Sequence, residues 1–176
     1  WNLDKHVKNL QSFGQTVVIA FNKFATDTDE EIDVLRKHCE EMGCGFAVNS
    51  AFAEGGKGAM ELAELVVKTI DEHPSAPLYF TYNDDEPVEK KIEDVAFNLY
   101  GAGSVTLSDS AKAMIEEIKK LGAEKFPICI AKTQYSFSTD AKAYGPTEGF
   151  ELHVRDITVN MGAEMIVVIA GPIMRM

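Results

Sequence analysis

The sequence predicts an α/β chain: part of a parallel sheet with crossover helices, followed by a smaller α+β module. Three observations carry that expectation. Short apolar runs alternate with helical patterns up to Glu72, the order that produces parallel strands joined by helices. The first two runs each end in small, polar and glycine residues, and open α/β sheets place their ligands just outside the carboxyl ends of such strands. At His73-Pro74-Ser75-Ala76-Pro77 the texture changes, and the last third reads as neighbouring strands beside helices.

Leu3, Val7, Leu10 and Phe13 recur at helical spacing, so Leu3–Phe13 is expected to form a helix. Val17–Phe21 is a continuous, β-branched apolar run that suits a strand buried on both faces. Thr28 can cap the next helix, whose first turn holds Asp29, Glu30 and Glu31 where the helix dipole favours carboxylates. That helix is expected to run to about Met42 and stop at Gly43. Phe46–Val48 is a second buried strand. Gly58–Glu72 is a second amphipathic helix, with Leu62, Leu65, Val66 and Ile70 on its apolar face.

The two prolines at 74 and 77 divide the chain, giving an α/β part over residues 1–76 and an α+β module over 77–176. Leu78–Tyr82 reads as a strand and Pro87–Leu99 as a helix broken by Gly101-Ala102-Gly103. Ser108 caps a helix from Asp109 to Leu121 that Gly122 stops. Ile128–Ala131 is a strand, and Phe150–Val159 with Met165–Ala170 forms a strand pair around a turn near Asn160–Gly162.

The net charge of −11, from 28 acidic and 17 basic residues without a basic stripe, argues against nucleic acid or an anionic membrane as partner. No apolar run approaches the roughly 20 residues that span a bilayer, and the opening residues do not read as a signal peptide. Three cysteines (Cys39, Cys44, Cys129) at spacings that match no zinc pattern suit reduced thiols in a cytoplasmic protein. His6, His38, His73 and His153 lie on different elements without metal-ligand spacing, so no metal site is expected. Trp1 at the start and Met174-Arg175-Met176 directly after an apolar strand lead us to expect a piece of a longer protein. Two strands cannot cover both of their edges, so exposed apolar surface and self-association are expected too.

Asn22-Lys23 follows the first strand and Asn49-Ser50-Ala51 the second. The first pair resembles the base-reading element of P-loop nucleotide-binding folds, and the second the element that closes over the base. An asparagine amide can pair with a base edge while a lysine stem lies along its face. A plain loop explains both equally well. The phosphate-binding pattern Gly-x-x-x-x-Gly-Lys-Ser/Thr is absent, and Glu54-Gly55-Gly56-Lys57-Gly58 does not fit it. Phe24 and Phe52 stand among polar neighbours at the two strand ends, where they either grip a flat ligand or pack into the core. Lys57 either meets an anion or is solvated.

The motifs go further together. Asn2-Leu3-x-Lys5-His6, Asn22-Lys23-Phe24-x-Thr26-Asp27-Thr28 and Gly55-Gly56-x-Gly58-Ala59-x-Glu61-Leu62-Ala63 closely resemble the formate–tetrahydrofolate ligase family. Ile92-Glu93 with Tyr100-Gly101-Ala102, Ala131-Lys132-Thr133-Gln134-Tyr135-Ser136 and Gly171-Pro172-Ile173-Met174-Arg175-Met176 continue the match in order along the whole chain. The chain looks like the C-terminal portion of such an enzyme.

The resemblance implies an ATP-dependent reaction in which formate attacks the γ-phosphate and formyl phosphate passes its formyl group to N10 of tetrahydrofolate. It implies ATP and Mg²⁺ as substrates, room for a monovalent cation, a P-loop-type sheet and a homo-oligomeric intact enzyme. Phe24 and Phe52 then correspond to the aromatics that sandwich the pterin. Many members have tryptophan at the second position and proline after the first phenylalanine, where this chain has Phe52 and Ala25. Asn22 and Lys23 are expected near the nucleotide, and Lys132, Thr133, Gln134, Tyr135 and Ser136 near the active cleft. The catalytic phosphate-binding residues are expected upstream of this chain. A different class stays open, a non-catalytic nucleotide-binding regulatory or assembly module.

Overall fold

The computed structural model describes residues 1–173; Met174, Arg175 and Met176, which close the last of the resembling motifs, lie outside the described residues. The chain divides into two compact units, one spanning Leu3–Tyr79 and one that begins at Phe80 and takes in Trp1 and Asn2. Both are mixtures of helices and sheets, so the α/β class expected from the sequence is the class observed.

In the first unit, α1 (Asn2–Ser12) leads into β1 (Val18–Asn22), α2 (Asp29–Glu41) and β2 (Gly45–Asn49). Thr28 caps α2 through a reciprocal capping box: its hydroxyl accepts from the Glu31 amide, and the Glu31 carboxylate accepts from the Thr28 amide at 2.9 Å. Those bonds to Thr28 hold the Glu31 carboxyl below its usual range. β1 and β2 pair in parallel, with Val18 opposite Gly45 and Asn22 opposite Asn49. Val7, Val17, Cys39 and Cys44 form the buried centre of this unit. Burial pushes the Cys39 and Cys44 thiols up, disfavouring the thiolate.

Three expectations change here. β1 is not buried on both faces: Ala20 is exposed while its register partner Ala47 is fully buried. The reason is that α4 (Met60–Glu72) packs mainly over β2 and leaves the matching face of β1 open. The helical segment after β2 also starts earlier and in pieces, a short α3 (Ala51–Glu54), then a 3-10 turn (Gly55–Ala59), then α4. On α4, Leu62, Leu65 and Thr69 face inward, whereas Val66 and Ile70 are exposed. Met60, Val67 and Ile70 add to an exposed apolar surface on this helix. The isolated chain is therefore expected to associate with itself as concentration rises. Sedimentation that reports a monomer at every concentration would contradict this.

Leu78–Tyr82 forms no strand, the third change. The segment has no neighbouring strand to pair with, and its backbone is used singly, as in the Tyr79 amide that donates to the Phe13 carbonyl at 3.1 Å.

The second unit holds α5 (Val88–Asp94), which widens into a π-helical turn (Val95–Tyr100), then β3 (Ser104–Leu107), α6 (Asp109–Leu121), β4 (Ile128–Ala131), β5 (Glu151–Asn160) and β6 (Met165–Ala170). Ser108 caps α6 by accepting from the Ala111 amide at 3.0 Å, and Gly122 closes it in the left-handed region. The strands form a mixed sheet ordered β3-β5-β6-β4. β5 and β6 run antiparallel, while β3 pairs with β5 and β4 with β6 in parallel. β3 is an addition to the strands the sequence predicted. Leu152, Val154, Ile157, Ile166 and Val168 face Ile92, Ile115 and Ile118 across one continuous core.

Gly103 is fixed by close approach, since a Cβ there would stand 2.8 Å from the Gly149 carbonyl oxygen. The two loops are held by the Gly103 amide donating to Phe150 and the Gly149 amide donating to Gly101, both at 2.8 Å. No helix among the described residues is long and apolar enough to cross a membrane.

Candidate functional site

The carboxyl ends of β1 and β2 lie side by side because Asn22 and Asn49 are direct register partners. Asn49 Nδ2 donates to Asn22 Oδ1 at 2.8 Å, and the Lys23 amide donates to the Asn49 carbonyl at 3.0 Å. Asn49 Oδ1 in turn accepts from the Ala51 amide at 3.2 Å. The two strand ends are thus joined by backbone and side chain before the loops diverge.

Each loop then has its own brace. The Phe24 amide donates to Asp27 at 2.8 Å, and Lys23 Nζ meets Asp29 at 3.2 Å. The second loop closes on itself through the Ser50 amide, which donates to the Gly58 carbonyl at 2.9 Å. A Cβ on Gly58 would stand 2.5 Å from the Ser50 carbonyl carbon, so only glycine permits this closure. Gly55 sits at φ 61°, ψ −147°, a backbone conformation that side chains rarely adopt. Here the glycine-rich run shapes a loop around Phe52. Lys57, left open between two roles by the sequence, is exposed.

Both rings end in solvent. Phe24 is 69% exposed and Phe52 101%, so neither packs into the core as the plain alternative required. Two apolar rings are thus held out from braced loops at the carboxyl ends of the two strands. Asn22, Lys23, Phe24 and Phe52 are therefore brought to a single edge of one unit. Asp27 and Asn49 belong to the same construction. Their side chains hold the loops, a role that the sequence signals through an Asx residue two or three positions from the backbone group it accepts from.

Lys132, Thr133, Gln134, Tyr135 and Ser136 belong to the second unit. Lys132 Nζ donates to the Thr133 carbonyl at 3.2 Å and also to the Ser136 carbonyl, and lies 4.7 Å from the Tyr100 ring centroid. Burial lowers the Lys132 ammonium below the usual lysine range and raises the Tyr100 phenol. Thr133 is buried and its hydroxyl accepts from the Tyr135 amide at 3.2 Å, while Ser136 Oγ donates to the Ala143 carbonyl at 2.9 Å. These three polar side chains hold their own loop. Gln134 and Tyr135 are exposed, Tyr135 by 65%.

The family model for formate–tetrahydrofolate ligase matches residues 1–176. A formate–tetrahydrofolate ligase of Bacteroides fragilis is 62% identical over 175 residues, 99% of this chain and 32% of that protein. One of Bacteroides thetaiotaomicron is 59% identical over 175 residues with the same coverage. One of Psychrobacter sp. is 46% identical over 178 residues, 99% of this chain and 31% of its own length. The chain thus spans about a third of the length of the curated relatives it matches. It belongs to the formate–tetrahydrofolate ligase family.

Proposed function

We propose that the chain supplies the tetrahydrofolate-stacking part of an ATP-dependent ligase that joins formate to tetrahydrofolate, giving 10-formyltetrahydrofolate. In this reading the first unit is the C-terminal part of the nucleotide- and folate-binding domain, and the second an α+β C-terminal module. The observation that carries it is the pair of exposed phenylalanines, Phe24 and Phe52, on loops braced at the adjoining ends of two parallel strands. A pterin is apolar on its faces and polar at its rim, so two rings can hold it while the loops meet its edge.

The reaction runs in two steps. A formate oxygen attacks the γ-phosphorus of ATP, ADP leaves, and formyl phosphate forms. N10 of the folate then attacks the formyl carbon, phosphate departs, and N10 loses its proton. Mg²⁺ enters with ATP as part of the nucleotide substrate. This chain contributes binding and orientation, with Lys23 beside the nucleotide and Gln134 and Tyr135 as the members of the Lys132–Ser136 run left free to meet a ligand.

The test is Phe52→Ala in the full-length ligase. A stacking contact is worth on the order of 1 kcal/mol beyond area burial, so KM for tetrahydrofolate should rise at least several-fold with KM for ATP nearly unchanged. Phe52 is 101% exposed in this chain, so truncation removes no packing within it. Phe52→Trp should keep or tighten folate binding. Equal losses for ATP and folate would mean that the ring has another role.

A further inference from the structure

We infer that Asn22 reads the hydrogen-bond acceptor edge of the heterocycle held by Phe24 and Phe52, with its polarity set by the Ala51 amide acting through Asn49. This rests on the folate-stacking reading above and deepens it to the recognition of one ring edge.

The chain of bonds has a direction. A backbone N–H can only donate, so the Ala51 amide fixes the oxygen of the Asn49 side chain toward itself at 3.2 Å. The nitrogen of Asn49 is thereby aimed at its register partner and donates to Asn22 Oδ1 at 2.8 Å. Asn22 has then used its oxygen inward, and its NH₂ group is the end that faces away. Among the described residues that NH₂ meets no protein acceptor, and Asn22 is exposed at the end of β1, two residues before Phe24. An amide that could otherwise present either end is locked as a double donor at the end of β1, two residues before Phe24.

The ligand chemistry follows. A donor at this position suits a ring carbonyl or an unprotonated ring nitrogen. The 4-oxo group of a pterin is such an acceptor, and the ring nitrogens of adenine are another. The 4-amino analogue of tetrahydrofolate puts a donor where the oxo group was, and two donors facing each other leave both unpaired.

Two substitutions reverse the donor while keeping the scaffold. Asn22→Asp still accepts from Asn49 Nδ2 but turns a carboxylate oxygen outward. Asn49→Asp keeps one oxygen on the Ala51 amide, and its other oxygen turns Asn22 around, so that Asn22 presents its carbonyl without being mutated. In the full-length ligase, wild type should prefer tetrahydrofolate over the 4-amino analogue by about tenfold or more. Both variants should lose that preference through KM for the folate, with the thermal midpoint little changed.

If both variants instead raise KM for ATP and leave the folate preference intact, the edge being read is that of adenine, and the inference falls. Unchanged KM for both substrates overturns the inference, as does an equal loss for both with a lowered thermal midpoint. Phe24→Ala and Phe52→Ala are measured alongside. If these weaken folate while the two aspartate variants do not, only this inference falls. If neither phenylalanine variant alters folate binding, the stacking reading falls and takes the pterin edge with it.

Discussion

The isolated 176-residue chain is expected to form no 10-formyltetrahydrofolate and to turn over no ATP. Phosphoryl transfer depends on backbone amides, a lysine and Mg²⁺ gathered around the β- and γ-phosphates. The glycine-rich pattern that supplies them is absent from this sequence. The glycine-rich run after β2, Gly55–Gly58, is committed to another task. Gly58 closes the loop onto Ser50, and Gly55 takes a conformation that carries the chain from α3 into the 3-10 turn. The measurement is a coupled assay with formate, ATP and tetrahydrofolate at high chain concentration. Formate-dependent product above background would overturn the expectation.

What the sequence shows about the fold is what local chemistry decides. The Thr28 and Ser108 caps, the stops at Gly43 and Gly122, and the β5–β6 pairing all follow from residues within a few positions of one another. What it conceals depends on distant partners. Leu78–Tyr82 has strand-like composition, yet a strand exists only where a neighbour offers its ladder. Ser104–Leu107 has weaker composition and becomes β3 because Glu151–Val154 lies alongside in parallel. The exposure of Ala20 is equally non-local, set by where α4 lies on the sheet.

The candidate site divides in the same way. The strand-end position of Phe24 and Phe52 was legible from the apolar runs that precede them, and their types and spacing resemble one family closely. Their exposure was not legible, since an aromatic ring after a buried strand is as much at home in a core. Nor was the polarity of the Asn22–Asn49 pair, which appears only when the two strand ends are set in register. The seat of Lys132 was not legible either. A lysine in a polar run suggests a ligand contact, but its ammonium is turned onto the carbonyls of its own loop.

Lys91→Met is expected to destabilise the second unit by about 2–4 kcal/mol, a large share of the stability of an ordinary domain. Lys91 is fully buried, while its neighbour Lys90 is exposed and pairs with Asp94. Helical spacing explains the difference, since Lys91 shares a face with Val88 and Ile92, which pack in the core. Its ammonium donates to the Glu124 carbonyl at 2.7 Å and the Phe126 carbonyl at 3.2 Å, and lies 5.8 Å from the Tyr82 ring centroid.

Two effects oppose one another in the substitution. Removing a buried charge relieves its desolvation, which is the reason burial lowers the Lys91 ammonium below the usual lysine range. Against that, methionine leaves two inward carbonyls without donors in the irregular connector between α6 and β4. Breaking one side of a buried charged hydrogen bond is the costlier term, so the loss wins. Hydrogen exchange reads it directly: β5 and β6 amides should lose protection while β1 and β2 amides, in the other unit, keep theirs. The pH dependence gives a second reading. A lysine held below its unfolded value of about 10.4 makes the unfolded chain bind the extra proton, so wild-type stability rises with pH across that interval. That part of the rise should be missing in Lys91→Met. Unchanged β5 and β6 protection would show that water or a shifted connector satisfies both carbonyls, and that Lys91 is dispensable to the fold.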